Sequence, residues 1–327
     1  MTKLKILFID TTHPILIELL TSAGFECESG TKMQRNEIEK IINNYDGVII
    51  RSRITLDKPL IDKATKLKFI ARVGAGLESI DVDYAEQKGI TCFNSPEGNR
   101  DAVGEHALGM LLCLFNNLIK ANYEVKNGMW KREENRGLEI KGKTVGIIGY
   151  GNMGGAFARR LKGFDANVIA YDKYKTNYSD DYVKENTLEE LYEKTDVLSL
   201  HVPLTDETKF MVNNEFINKF KKNIYLINTA RGKVVKTDDL VKNLDKGKIL
   251  GAGLDVLEYE KTSFEELHKN ELPETFKNLI NNDKVILSPH IAGWTVESNI
   301  KLSKFLAEKI IKEFNDEPTP KNVFRQD

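Results

Sequence analysis

The residues that could do chemistry begin with three glycines and an aspartate. Gly149, Gly151 and Gly154 stand in Gly149-Tyr150-Gly151-Asn152-Met153-Gly154, a G-x-G-x-x-G, and Asp172 closes the apolar run that follows. In this pattern the first glycine permits a tight strand-to-helix turn. The second lets backbone approach a pyrophosphate with no Cβ in the way, and the third lets the helix pack closely on its strand. The amides and the positive end of the helix then face phosphate. A carboxylate at Asp172 can accept both hydroxyls of an adenosine ribose and repels a 2′-phosphate, which points to NAD over NADP, although Lys173 and Lys175 stand close by. A glycine-rich turn alone is weak evidence. Here a strand at 144–148, the turn, a helix at 155–162 stopped by Gly163, a strand at 168–171 and the terminal acid come in order, which is the context the motif requires.

An enzyme using such a cofactor on a hydroxyl-bearing carbon needs an anchor for its substrate and a group that moves the hydroxyl proton. Arg231, at a strand end, is a candidate anchor, and His290, at another, is a candidate acid/base because imidazole exchanges protons near neutral pH. A carboxylate beside His290 would fix its tautomer. Glu258 and Glu260 are both placed for this, and composition does not choose between them. Arg51, Arg53 and Arg72 fall at adjacent strand ends beside Gly74-Ala75-Gly76, and arginine offers bidentate geometry to an anion. His106 reads as a packed core or interface histidine.

These residues need a scaffold of parallel strands, and the chain supplies one. Strands are expected at 4–9, 47–50, 68–73 and 90–93, with helices at 14–23, 58–65 and 82–88. The stretch 101–120 reads as one helix, apolar almost all round from Ala107 to Ile119, which must be buried on several faces. After the glycine motif the alternation resumes. Helices are expected at 187–194, 214–220 and 237–245, the last with Thr237 as N-cap, and strands at 197–201, 224–228, 250–254 and 284–287. An amphipathic helix at 296–314 returns to the first domain. Such alternation predicts parallel sheets covered on both faces, with ligands beyond the carboxyl ends of the strands.

A chain of 327 residues with net charge −1 has room for two cores and no bias toward nucleic acid or an anionic membrane. The N-terminus enters a strand with no signal-peptide pattern, and no apolar run is long enough to span a bilayer, so a cytoplasmic protein is expected. Cys27, Cys92 and Cys113 are odd in number and far apart, which suits neither a disulfide framework nor a zinc site, and no metal is expected.

The sequence resembles the D-isomer-specific 2-hydroxyacid dehydrogenases, from about Gly47 to Phe314. The motifs that carry this are Val73-Gly-Ala-Gly-Leu-Glu-Ser-Ile-Asp81, the glycine motif, His201-Val-Pro-Leu-Thr205, Asn228-Thr-Ala-Arg-Gly232, Leu254-Asp-Val-Leu-Glu-Tyr-Glu260 and Ser288-Pro-His-Ile-Ala-Gly293. The resemblance implies a Rossmann NAD-binding domain, 101–290, inserted into a flavodoxin-like parallel α/β substrate domain, 1–100 and 291–327. It implies a catalytic set of Arg231, Glu260 (not Glu258) and His290. Substrate contacts would come from Arg51, Arg72, Val73, Gly74 and Arg231. Cofactor contacts would come from Gly149, Gly151, Asn152, Met153, Gly154, Asp172, His201, Val202, Pro203, Thr229, Ala230, Asp255, His290 and Gly293, with Asp255 at the nicotinamide carboxamide. It also implies a homodimer.

Within the family, Arg51-Ser-Arg53, Arg72, Asn94-Ser-Pro-Glu-Gly-Asn99 and Lys126-Asn-Gly-Met-Trp-Lys131 look most like the phosphoglycerate dehydrogenases, so oxidation of D-3-phosphoglycerate in serine biosynthesis is expected. The chain ends at Asp327, so a short form without a C-terminal regulatory domain is expected. The alternatives are reduction of glyoxylate, hydroxypyruvate or another 2-oxo acid, and a non-enzymatic NAD-sensing binding protein. An intact Arg231, Glu260 and His290 set argues against the last. The charged segment 261–283 reads as surface decoration built on two short amphipathic helices, around Phe264 and Leu267 and around Phe276, Leu279 and Ile280, with His268 facing solvent.

Overall fold

The computed structural model describes residues 3–260 and 273–315. The chain divides into two compact units, Met1–Asn99 with Thr295–Asp327, and Arg100–Trp294.

The first unit is built on β1 (Lys5–Phe8), β2 (Glu26–Ser29), β3 (Gly47–Ile50), β4 (Phe69–Arg72) and β5 (Thr91–Phe93). They form a parallel sheet in the order β2-β1-β3-β4-β5, the flavodoxin-like order. β3 and β4 are buried along their whole length, as expected of short apolar runs inside a sheet covered on both faces. Leu7, Val48, Ile50 and Ile70 pack on one side with Leu60. Ile6, Phe8, Ile49 and Phe69 pack on the other with Leu302, Leu306 and Ile310 of the helix Val296–Phe314. Lys309 on that helix donates to the Asn94 carbonyl at 2.8 Å and to both Glu97 oxygens at 3.0 Å, which fixes the loop after β5. β2 and the helix Arg35–Ile41 were not foreseen. Glu26-Cys27-Glu28-Ser29 has no apolar alternation, and it is an edge strand set by pairing with β1.

The second unit is built on β6 (Thr144–Ile148), β7 (Asn167–Tyr171), β8 (Lys184–Glu185), β9 (Val197–Leu200), β10 (Ile224–Asn228), β11 (Ile249–Leu254) and β12 (Val285–Leu287). All are parallel, in the order β12-β11-β10-β9-β6-β7-β8. The chain runs outward from β6 in one direction and from β9 in the other. That switch point opens a crevice beyond the strand ends, the ligand position of doubly wound sheets. Two apolar clusters cover the faces, one around Leu198, Leu226 and Leu254 and one around Leu111, Val145 and Phe157.

Three expectations change. The long helix is two, Arg100–Phe115 and Leu118–Lys126, bent by 60° where Asn117 adopts the left-handed conformation, φ +51°. Ala107, Met110, Leu111 and Phe115 are core residues, while Leu118 and Ile119 beyond the bend are half exposed. The glycine-motif helix is Asn152–Leu161, and the left-handed residue that ends the run is Asp165, not Gly163. In the helix Thr237–Asp245, Thr237 is the first helical residue and Lys236 the cap; the Glu258 carboxylate accepts the Thr237 amide at 2.8 Å. No single helix among the described residues is long and apolar enough to cross a membrane. In the segment 261–283 the described part contains one helix, Glu274–Ile280, with Phe276 and Leu279 buried; Phe264, Leu267 and His268 lie outside the described residues.

Candidate active site

At the carboxyl end of β6, Gly149 has φ +91°, and a Cβ there would lie 2.6 Å from the His201 carbonyl oxygen. A Cβ on Gly154 would lie 2.2 Å from the Gly149 carbonyl oxygen. Gly151 differs: no neighbouring atom lies within 4 Å of where its Cβ would be, so the approach to the first helical turn is open. Amides of that first turn, Asn152 and Met153 among them, have no intrahelical acceptor. Open space and donors together fit a pyrophosphate, and these residues would hold it.

The Asp172 carboxylate accepts the Tyr150 amide at 2.8 Å on one oxygen, and the Tyr174 and Lys175 amides at 3.0 and 3.1 Å on the other. It is therefore fixed beside the glycine turn. Lys173 is paired with Glu207 at 2.7 Å, and Lys175 donates to the Tyr150 carbonyl at 3.0 Å. The Tyr150 ring stacks on Tyr178, and its hydroxyl donates to Asp180, fastening the loop after β7.

The His201 ring points into the core and does not face the cofactor crevice. Its Nε2 is 2.8 Å from Ser199 Oγ, the ring lies against Phe157, and Nδ1 is buried with no partner among the described residues. Burial pushes its pKa down to about 3. At 201–203 only the chain itself can meet a ligand through this residue. Thr229 and Ala230, after β10, are buried, and the Thr229 hydroxyl has no partner among the described residues.

The expected catalytic residues His290 and Glu260 meet beyond the ends of β11 and β12. His290 Nδ1 is 2.7 Å from Glu260 Oε2. The other Glu260 oxygen accepts the Leu257 amide, so the carboxylate cannot swing freely. Glu258 is engaged at the Thr237 amide, and the two glutamates thus have separate tasks. A carboxylate at Nδ1 accepts from that nitrogen and so fixes the tautomer of the ring. Arg231 lies in a loop shaped by Asn228, which accepts the Ala230 amide and donates to the Arg231 carbonyl. Gly232 rests against the Leu257 carbonyl, placing this loop beside the segment that carries Glu260.

Asp255 is 1% exposed. Its carboxylate accepts the Ser288 hydroxyl at 2.5 Å and the Ile291 and Ala292 amides at 2.9 and 2.8 Å, so it holds the turn that carries His290 and leads to Gly293. His106 reaches the same place: its Nε2 is 2.9 Å from Ser288 Oγ. It is a hydrogen-bonded residue of the turn, not a core-packing histidine. Sequence reading missed this because nothing in the spacing links residues 182 positions apart.

The first unit treats its arginines differently from expectation. Arg53 donates to Asp10 at 3.2 Å and to the Met33 and Ile9 carbonyls. Arg72 is 8% exposed and donates to the Arg51 and Gly76 carbonyls, both at 2.8 Å. The amides of Arg51 and Ser52 are held by Asp10. The Val73 amide belongs to the sheet, donating to Ile50. The Arg53 and Arg72 side chains and the Val73 amide thus bond within their own chain.

Comparison with known proteins gives a consistent assignment. Residues 108–292 match the family described as D-isomer specific 2-hydroxyacid dehydrogenase, NAD binding domain. A hydroxypyruvate reductase of Thermotoga maritima is 36% identical over 86% of this chain and 89% of its own length. A D-3-phosphoglycerate dehydrogenase of Archaeoglobus fulgidus is 33% identical over 94% of this chain, but the match spans only 57% of that protein. Among solved structures, D-lactate dehydrogenase from Aquifex aeolicus complexed with NAD and lactic acid superposes with a TM-score of 0.80, at 30% identity over 95% of each chain.

The buried neutral ring of His201 has a measurable consequence. Its folded pKa lies below the roughly 6.5 of an unfolded histidine. Above that value both states are neutral and nothing is lost. As pH falls from there toward 3, only the unfolded state takes the proton, and stability drops by about 1.4 kcal/mol per unit. Urea unfolding at pH 6.5 and pH 5 should show the native chain losing about 2 kcal/mol more than His201→Asn. Equal losses would mean that the ring is not held neutral.

Proposed function

We propose, on the premise that this chain belongs to the D-isomer specific 2-hydroxyacid dehydrogenase family and is an NAD-dependent oxidoreductase, that it reduces a small unphosphorylated 2-oxo acid such as glyoxylate or hydroxypyruvate. The observation that carries the choice is the engagement of Arg72 by carbonyls of its own chain. A phosphate at the far end of the substrate needs cations away from Arg231; the expectation of phosphoglycerate placed it on Arg51 and Arg72, and of these two Arg72 is engaged by carbonyls of its own chain. The match to a hydroxypyruvate reductase along most of both chains supports the same reading.

When bound, the nicotinamide supplies the hydride for C2 of the acid. The remaining work falls to the chain. Arg231 anchors the substrate carboxylate and polarises the 2-oxygen, where guanidinium geometry suits a planar anion. His290 delivers the proton from Nε2 to that oxygen and takes it back in the reverse direction. Glu260 holds the imidazole in the tautomer that makes this possible and stabilises its charged form. Asp172 receives the ribose hydroxyls, and the first turn of Asn152–Leu161 receives the pyrophosphate.

The protein acts as a homodimer in this proposal. Support comes from Leu118, Ile119, Tyr123 and Val125, which are all at least half exposed on the helix Leu118–Lys126. Sedimentation should return twice the mass of one chain, and Tyr123→Glu should shift it toward one. A single chain in the native protein would end the proposal.

NADH oxidation measured with glyoxylate, hydroxypyruvate, pyruvate and 3-phosphohydroxypyruvate tests the substrate assignment. Turnover is expected to favour the unphosphorylated acids. Turnover confined to the phosphorylated one would overturn the reading. His290→Ala is expected to lower turnover by about two to four orders of magnitude while NADH affinity is retained. Survival of turnover would remove His290 from the acid/base role.

A further inference from the structure

His290 sits in a conformation that needs support. Its φ is +55°, the left-handed region, which is unfavourable for a residue with a side chain. Much of the support comes from Asp255. The Asp255 main-chain carbonyl accepts the His290 amide at 2.8 Å, and its carboxylate accepts the amides of Ile291 and Ala292. The turn is thus held at three successive amides by Asp255.

The carboxylate that does this is itself held from below. Ser288 Oγ lies 2.5 Å from Asp255 Oδ1 and donates its only proton there. The serine oxygen can then only accept from His106 Nε2, 2.9 Å away, which requires that nitrogen to carry a proton. The same Nε2 lies 3.5 Å from Asp255 Oδ1. His106 stands on the helix Arg100–Phe115, whose Ala107, Met110 and Leu111 are core residues, so the donor is anchored to the packed interior.

We infer that His106 and Ser288 are positioning residues for His290. Through Asp255 they hold the strained turn at the angle that puts Nδ1 on Glu260 and Nε2 toward the substrate. Neither touches the reacting atoms. The inference rests on the acid/base reading of His290, and its test keeps the two apart.

The experiment uses the full-length chain with His106→Ala, His106→Gln, Ser288→Ala and Ser288→Thr. One readout is kinetic. kcat is expected to fall about ten- to a hundredfold in His106→Ala and Ser288→Ala, the cost of a small misplacement of a reacting group, with KM and NADH affinity retained. Glutamine can present an N–H near the position of Nε2, and threonine keeps the hydroxyl, so both conservative variants should recover most of the loss. The second readout is the Nδ1-bound proton of His290 in the ligand-free protein, followed by NMR and identified by its absence in His290→Gln. That resonance should shift or broaden in the alanine variants and return in His106→Gln.

Unchanged kcat and an unchanged resonance in His106→Ala would overturn the inference. So would failure of glutamine to rescue, since ring volume and not the donor would then matter. If His106→Ala does not fold, the Ser288 pair decides the same question. If turnover survives His290→Gln, the acid/base reading falls, while the resonance still reports whether His106 holds the turn.

Discussion

The carboxylate of Asp255 is a buried charge that is paired on every side, and much of the second unit is arranged around keeping it so. A buried ion that loses its partner costs several kcal/mol. Here Ser288 Oγ, two backbone amides and the nearby His106 satisfy it. The arrangement constrains three separate stretches at once: the helix Arg100–Phe115, the end of β11 and the turn after β12. Because these elements are far apart in sequence, the site exists only when the parallel sheet has brought the strand ends together. The geometry of the site and the fold are thus linked through one carboxylate.

The two glutamates after Asp255 show how closely neighbouring residues of one type can divide their work. Glu258 satisfies an amide at the start of Thr237–Asp245, where an acid also meets the positive end of a helix dipole. Glu260, two residues on, meets His290 and the Leu257 amide. Exchanging their positions would leave a helix end uncapped and an imidazole without its orienting partner. The residue type is the same; only the path of the chain between them separates a cap from the partner of a histidine.

Much of this was legible in the sequence, for definable reasons. Strands such as Gly47–Ile50 and Ile224–Asn228 are short apolar runs bounded by polar residues, and burial on both faces leaves them few other conformations. The glycine motif reads clearly because its spacing is dictated by backbone clashes that any sequence must avoid. The edge strand Glu26–Ser29 was illegible because its pairing comes from backbone hydrogen bonds to β1, to which side-chain pattern contributes nothing. The bend at Asn117 was hidden for a related reason: asparagine tolerates the left-handed conformation without announcing it. The task of His106 was illegible too, since it depends on a serine and an aspartate brought to it only by the folded sheet.

Arg72 carries the most general point about reading sites from residue types. An arginine at a strand end beside glycines has the composition of an anion site. A guanidinium has five donors, however, and exposed carbonyls at the end of a parallel strand compete for them. Arg72 Nε and one terminal nitrogen meet the Arg51 and Gly76 carbonyls, with Glu78 at 4.0 Å. The side chain therefore fastens the loop that follows β4. Gly74 belongs to the same logic, because a Cβ there would lie 2.6 Å from the guanidinium. What composition presents as a cationic surface is also, in this fold, the internal fastening of a glycine-rich turn.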